Sequence, residues 1–295
     1  MQSPVIPKSF DYYAPASLEE AMTILAENEE AKVLAGGQSL LPLMKLRLAS
    51  PSAVVDISRL AGLSYVRDRG DHLVIGALTT HDALEHDALV RERFPLVGDA
   101  VARIGDQQVR NLGTIGGSAC HADPAADLPV VLLAADAQFV IEGRSGRRMI
   151  PANDFFVDIF TTAVGHDEIL TEVRLPYLPP GSASAYTKHS LRESDFAIAS
   201  VGVVLTLGRR NSCTQAKIAL GAAGPAPLRA KSAEDCLKGR PLDNSAIREA
   251  SEKAASGSDP PSDVHGSRQY RLQMIKVLTG RCLMLAAGRA GESRP

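Results

Sequence analysis

Two paired-glycine segments constrain this chain more than any other feature: Ala35-Gly36-Gly37-Gln38-Ser39 and Thr114-Ile115-Gly116-Gly117-Ser118. Each follows a position where an extended segment can end. Each carries a small hydroxyl residue beside its glycines. Paired glycines let a backbone approach a ligand closely and point its N–H groups outward. Two such loops meeting in space would hold a pyrophosphate from both sides, which points to a dinucleotide site. It is not a Rossmann site, because no strand–G-x-G-x-x-G–helix with a later acidic residue is present. A lone Gly-Gly is ordinarily a turn, so the weight rests on the longer strings around the two pairs.

The 295 residues are enough for two domains or one large one. Hydrophobic residues make up 45% and charged residues 22%, a balance that can bury a proper core. A net charge of −2 gives no reason to expect a nucleic-acid partner. The absence of tryptophan and the 4% aromatic content argue against a stacking platform for single strands. No apolar run approaches the length of a membrane span. The start, MQSPVIPKSFDYY, lacks the charged-then-apolar order of a secretory signal. Cys120, Cys213, Cys236 and Cys282 form no C-x-x-C and fit neither an iron–sulfur nor a structural zinc set. Scattered thiols without a signal imply a reducing, cytoplasmic setting.

Along the chain, Ser17-Leu-Glu-Glu20 is a capping box, and Leu18, Ala21, Met22 and Leu25 recur at helical spacing. A helix is therefore expected over 18–28. A short buried strand should follow at 32–35, then a helical stretch within 39–48 and a strand at 53–57. Strands are expected near 65–66 and 72–76. Helices are expected over 81–86, capped by Thr80, and over 95–104. The run 127–136 reads as a helix, and 138–141 and 168–175 as strands. Three prolines and a glycine in Pro176–Gly181 mark a linker. Beyond it come three strands (183–189, 197–207 and 214–220) and helices near 230–238, 243–256 and 267–287.

Several residues carry possible chemistry. Asp127 stands before Leu128-Pro129, a strong helix-start signal, and so can serve as a cap. Lys45 and Arg47 can neutralise phosphate or form a solvated helix face. Cys120-His121-Ala-Asp123 suggests a metal, but adjacent ligands rarely close one tetrahedral site. A Cys–His nucleophile there lacks a third orienting group. No hydrolase motif is present.

The longer strings resemble the FAD-binding medium subunits of molybdenum hydroxylases, which include the flavoprotein subunits of carbon monoxide dehydrogenase and the FAD domain of xanthine dehydrogenase. The resemblance is carried by AGGQSLLPLMKLRL from Ala35 to Leu48 and TIGGSACHADPAADLP from Thr114 to Pro129. It extends to IALGAAGPAPLRA from Ile218 to Ala230, with Glu234 and Leu237, and to SDVHGSRQYR from Ser262 to Arg271. Where many relatives have histidine, this chain has Gln38, which also donates a hydrogen bond.

The resemblance implies an α+β protein: a two-lobed, non-Rossmann FAD-binding domain followed by a smaller α+β domain with a three-stranded sheet and helices. The expected parts are lobe 1 at 1–58, lobe 2 at 59–176, a linker at 177–182 and a C-terminal domain at 183–290. It implies non-covalent FAD contacts from Leu34, Ala35, Gly36, Gly37, Gln38, Ser39 and Leu40. Further contacts would come from Ile104, Thr114, Ile115, Gly116, Gly117, Ser118, Asp127, Leu170 and Lys188. It places [2Fe–2S] clusters on a small partner subunit and molybdopterin on a large one. Electrons would pass from the clusters through FAD to NAD, a quinone or oxygen. A self-contained flavin oxidase of the related two-lobed fold and a nucleotide-binding regulatory protein stand as alternatives. The stretch after Pro176, only about 120 residues long and without an acid–base motif, weighs against the oxidase, which usually needs a longer substrate domain.

Overall fold

The computed structural model describes residues 6–292. The first five residues of the lobe expected over 1–58 lie outside the described residues. That lobe is a small parallel unit made of β1 (Asp11–Tyr13), α1 (Leu18–Glu27), β2 (Lys32–Leu34), α2 (Leu40–Lys45) and β3 (Ala53–Asp56). The strands run in the order β1-β3-β2, and both pairings are parallel. Parallel neighbours need a crossover, and α1 supplies the one before β2. Its capping box forms as expected: the Glu20 N–H donates to Ser17 Oγ at 3.1 Å, and Glu20 reaches back to the Ala16 N–H at 2.7 Å. Ala21 and Leu25 bury their side chains among Ala53, Val55 and Ile57. The expected buried strand at 32–35 is instead an edge strand whose Lys32 and Val33 face solvent.

The second lobe holds a five-stranded antiparallel sheet. Its strands are β4 (Val66–Asp68), β5 (His72–Gly76), β6 (Gln138–Gly143), β7 (Gly146–Pro151) and β10 (Ile169–Pro176), in the order β4-β5-β10-β6-β7. A two-stranded hairpin of β8 (Phe156–Asp158) and β9 (Thr161–Thr162) projects beside it. Seven helices pack on or near the sheet: α3 (His81–His86), α4 (Ala88–Arg93), α5 (Pro95–Val101), α6 (Gln107–Leu112), α7 (Ile115–His121), α8 (Asp127–Ala134) and α9 (Ala152–Phe155). Thr80 caps α3 as expected, accepting from Ala83 N at 3.2 Å. The α4 and α6 helices give no apolar periodicity to read. Each is a six-residue turn started by an aspartate cap, Asp87 or Asp106.

The third unit is a four-stranded antiparallel sheet of β11 (Ser182–His189), β12 (Ala199–Leu207), β13 (Cys213–Gly221) and β14 (Leu228–Arg229), with α10 (Lys231–Leu237), α11 (Asn244–Ala254) and α12 (Arg268–Glu292). The three expected strands are all present. The two-residue β14 joins them by pairing Leu228 and Arg229 with Leu220 and Ala219. The α12 helix covers one face of this sheet and α8 the other. Covered on both faces, β12 is buried at every position but Thr206 and is mostly apolar rather than alternating. All eight residues of α8 are buried. The helix lies close to β12 and β13 because Gly202 and Gly221 present no side chain. A Cβ on Gly221 would lie 2.5 Å from Val130 Cγ2. Among the described residues, no helix is long and apolar enough to cross a membrane.

Candidate functional site

The first glycine pair leaves β2 and turns into α2. Gly37 has φ +72, in the left-handed region that glycine tolerates best. Among the described hydrogen bonds, the N–H groups of Gly36, Gly37, Gln38 and Ser39 have no acceptor in the protein. Ser39 sits at the N-cap of α2, but its hydroxyl makes no cap bond. This run of uncommitted donors has the character of an anion-binding nest.

The second pair is not the loop expected from its sequence. Thr114 is the N-cap of α7, and Gly116 and Gly117 form the helix's first turn. Their N–H groups are already used: Ile115 N donates to Thr79 O, Gly116 N to Ala77 O, Gly117 N to Thr114 Oγ1 and Ser118 N to Thr114 O. Only the first segment therefore leaves its N–H groups free. The second contributes shape, because its glycines allow close packing. A Cβ on Gly116 would fall 2.7 Å from Ala77, and one on Gly117 would fall 2.8 Å from Thr114 Oγ1.

The two segments do meet. A Cβ on Gly36 would stand 1.8 Å from the Leu112 carbonyl oxygen, just before Thr114, so the lobes touch there backbone to backbone. On the other side, the Cβ position of Gly117 is 3.8 Å from Ala35 Cβ. His81 braces the contact from below. It is 4% exposed, its N–H donates to Gly113 O at 2.9 Å, and its ring lies against Gly113. Burial and the nearby Arg110 push the His81 pKa down to about 4.

A second cluster forms around Asp127. This residue is the first of α8, not its cap, and it is 5% exposed. Its carboxylate accepts from the Tyr186 hydroxyl and from Lys188 Nζ, the latter at 3.1 Å. Burial raises its pKa, against the opposing pull of Lys188 and Tyr186. Burial and Asp127 also hold the Tyr186 hydroxyl well above its ordinary value. Read by itself, Lys188 looks like a surface lysine, but its side chain is only 2% exposed. It also donates to the carbonyls of Arg103 at 2.8 Å and Asp195 at 2.9 Å. All three ammonium protons are then used. Lys188 thus ties β11 to residue 103, next to Ile104, and to the 189–197 loop.

Sequence reasoning missed Tyr186. The available signal was its place two residues before Lys188, which puts both side chains on one face of a strand. A buried tyrosine hydroxyl also needs a partner. Ile104 is partly buried against the lobe 2 core, and Leu170 is buried in β10 beside a register shift. Leu34 and Leu40 flank the first glycine segment.

Metal and nucleophile readings find no support. Burial pushes the Cys120 thiol up to about 12, far from a reactive thiolate. His121 instead packs its ring 5.0 Å from Phe160. Among the described residues, Asp82, Glu85 and His86 come within 4.8 Å of one another. Gln107 occupies Asp82 at 2.6 Å and Arg110 occupies Glu85 at 2.8 Å, so both carboxylates already have protein partners. Arg47 is turned toward the Ile6 carbonyl at 3.2 Å.

Two lobes meeting at a glycine contact, with a nest of free N–H groups on one side, define a non-Rossmann dinucleotide-binding protein. Comparison with known proteins gives the family. Residues 8–178 match the family described as FAD binding domain in molybdopterin dehydrogenase, and residues 184–286 match CO dehydrogenase flavoprotein C-terminal domain. The chain belongs to the FAD-binding subunits of the molybdenum hydroxylase family. The 6-hydroxypseudooxynicotine dehydrogenase complex subunit alpha of Paenarthrobacter nicotinovorans is 40% identical, over 98% of each chain. The carbon monoxide dehydrogenase medium chain of Hydrogenophaga pseudoflava is 37% identical, over 97% of this chain and 99% of its own. A solved structure of carbon monoxide dehydrogenase from that organism superposes with TM-score 0.94 at 38% identity, over 96% of this chain and 99% of that one.

Proposed function

We propose that this chain carries non-covalent FAD and passes electrons from a small [2Fe–2S] partner subunit to an external acceptor. A large molybdopterin subunit would hydroxylate the substrate. The observation that carries the reading is the set of N–H groups at Gly36–Ser39 with no acceptor among the described hydrogen bonds, in a segment that packs beside the first turn of α7 in a two-lobed frame. The residues fit the cofactor. The nest suits a pyrophosphate, and the hydroxyls of Ser39, Thr114 and Ser118 can add to it. Leu34, Ala35, Gln38, Leu40, Ile115, Gly116 and Gly117 shape the cleft around the nest. Ile104 and Leu170 supply apolar surface for a ring system. Asp127 and Lys188, held in place by their mutual ion pair, would add polar contacts at the edge of the ring site.

Bound FAD supplies the reversible electron chemistry, and the protein contributes binding, orientation and exclusion of water. The division into 1–58, 59–176, a linker at 177–182 and 183–290, and a cytoplasmic location, belong to the same proposal. A self-contained oxidase or a regulatory protein is disfavoured, because the relatives matched end to end are medium chains and complex subunits.

The test is to express the full chain alone, load it with FAD and record its visible spectrum. Dithionite should reduce the flavin, whereas aldehydes and N-heterocycles should not until both partner subunits are added. Flavin reduction by such a substrate with the isolated chain would overturn the subunit reading and favour the oxidase.

A further inference from the structure

Lobe 1 displays an apolar surface on α2 and on the turn that ends it. Leu46 and Leu48 are 60% and 73% exposed, and Ile6 and Leu41 are exposed as well. The turn is closely bonded. Arg47 N donates to Met44 O at 3.0 Å and Leu48 N to Leu43 O at 2.9 Å, the paired bonds of a Schellman helix end. Arg47 takes the left-handed position of that motif with φ +59, where glycine is the usual residue. Its Nε donates to Ile6 O at 3.2 Å, which holds residue 6 against the turn. In such an end the residue at the Leu48 position commonly packs back on the helix. Here most of the Leu48 side chain lies in water.

The charge along this stretch has one sign. From Ala31 to Val55 the chain carries Lys32, Lys45 and Arg47 and no acidic residue. Lys32 and Lys45 are exposed, and among the described residues no ion pair reaches either. The position of the surface is also specific. The α2 helix starts directly after the N–H groups of Gly36–Ser39, which have no acceptor among the described hydrogen bonds. Leu41 Cδ1 lies 2.9 Å from where a Cβ of Gly37 would stand. On the other lobe Leu112, more than half exposed, sets its carbonyl against Gly36. The apolar surface therefore borders the proposed FAD cradle.

We infer that the leucine surface of α2 and its closing turn docks the small [2Fe–2S] partner subunit, through a face of that subunit with an apolar centre and an acidic rim. The inference rests on the subunit reading above. Exposed leucines gathered on one turn mark a protein-docking surface. A turn already fixed by its own hydrogen bonds loses little conformational freedom on binding. Lysines beside it favour a partner that brings carboxylates, which steer its approach. Position selects the occupant. Electron transfer weakens steeply with distance, so the subunit that feeds the flavin must sit beside the cradle. The large subunit, which exchanges electrons with the clusters, has no such need. A second copy of this chain would bring the same cations to the same surface.

The full FAD-loaded chain is titrated by isothermal calorimetry with the small subunit and, separately, with the large one. Wild type should bind the small subunit at one saturable site, more weakly as salt is raised. Leu46→Asp/Leu48→Asp should weaken that binding at least tenfold and leave the affinity for the large subunit as in wild type. Both positions are exposed, so flavin absorbance and melting temperature should match wild type. Should the double variant fail to fold, Leu48→Asp alone gives the same comparison. With dithionite-reduced small subunit as donor, the variant should need at least tenfold more donor for half-maximal flavin reduction, at an unchanged saturating rate. Wild type that binds neither subunit would overturn the subunit reading and this inference with it. Wild-type affinity for the small subunit in the folded variant would overturn the inference alone. So would a loss confined to the large subunit, salt-insensitive binding, or a dimer of the isolated chain that the variant abolishes in sedimentation.

Discussion

Replacing Gly36 with alanine should separate the two lobes at their point of contact. The new Cβ would stand 1.8 Å from the Leu112 carbonyl oxygen and 2.9 Å from Gly113 Cα. An ordinary C···O approach is roughly 3.3 Å, so the backbones must part by about 1.5 Å. Leu112 and Gly113 cannot easily retreat. Gly113 lies against the buried His81 ring, and its carbonyl is held by the His81 N–H. Forced repacking of this kind costs about 1–3 kcal/mol. In a chain of this size that corresponds to a melting temperature lower by roughly 2–10 °C. The free N–H groups follow immediately after, so FAD affinity should fall at least tenfold, equivalent to about 1.4 kcal/mol. Gly98→Ala in α5 is the control. It meets nothing within 4 Å, and as a helix-interior glycine it should be neutral or up to ~1 kcal/mol stabilising. Melting curves with and without FAD, together with flavin content, read both effects. Wild-type stability and stoichiometric FAD in Gly36→Ala would refute the reasoning that this contact sets the site.

Other expectations follow from the buried charges. Lys188→Met leaves the Asp127 carboxylate and two carbonyls short of a partner. Chemical denaturation should show a loss of about 3–5 kcal/mol, with much of it recovered in Asp127→Asn/Lys188→Met; equal losses in the single and double variants would exclude the coupling. Because His81 is held neutral by burial, its contribution is fully present above about pH 6.5 and is lost as the pH falls toward 4. The fall from 6.5 to about 4 corresponds to at most about 3 kcal/mol, so His81→Asn should flatten the stability profile over that window. A profile as steep as wild type would show that other groups carry the acid sensitivity.

Local rules were legible in the sequence where they act over a few residues. The Ser17/Glu20 box, the Thr80 cap and the strands and helices after residue 182 depend on nearest neighbours and periodicity. Their observed bounds lie close to those expected. The α12 helix continues to Glu292, past its expected end, because its side chains pack along β11 and β12. The two glycine strings fixed the family and the place of the site. They did not fix the division of labour between them. Gly-Gly is a poor helix former, so nothing local shows that Gly116 and Gly117 begin a helix. That outcome needed the Thr114 cap together with acceptors at Ala77 and Thr79, which only the tertiary fold supplies. The fold likewise buried Lys188. In sequence it is one lysine on a strand, but its three partners come from residue 103, residue 127 and residue 195, brought together across the lobe boundary. The sequence by itself determined most of the elements, the family and the position of the two glycine segments. Tertiary structure decided which N–H groups stay free and which charges become internal, because both depend on what lies opposite in space.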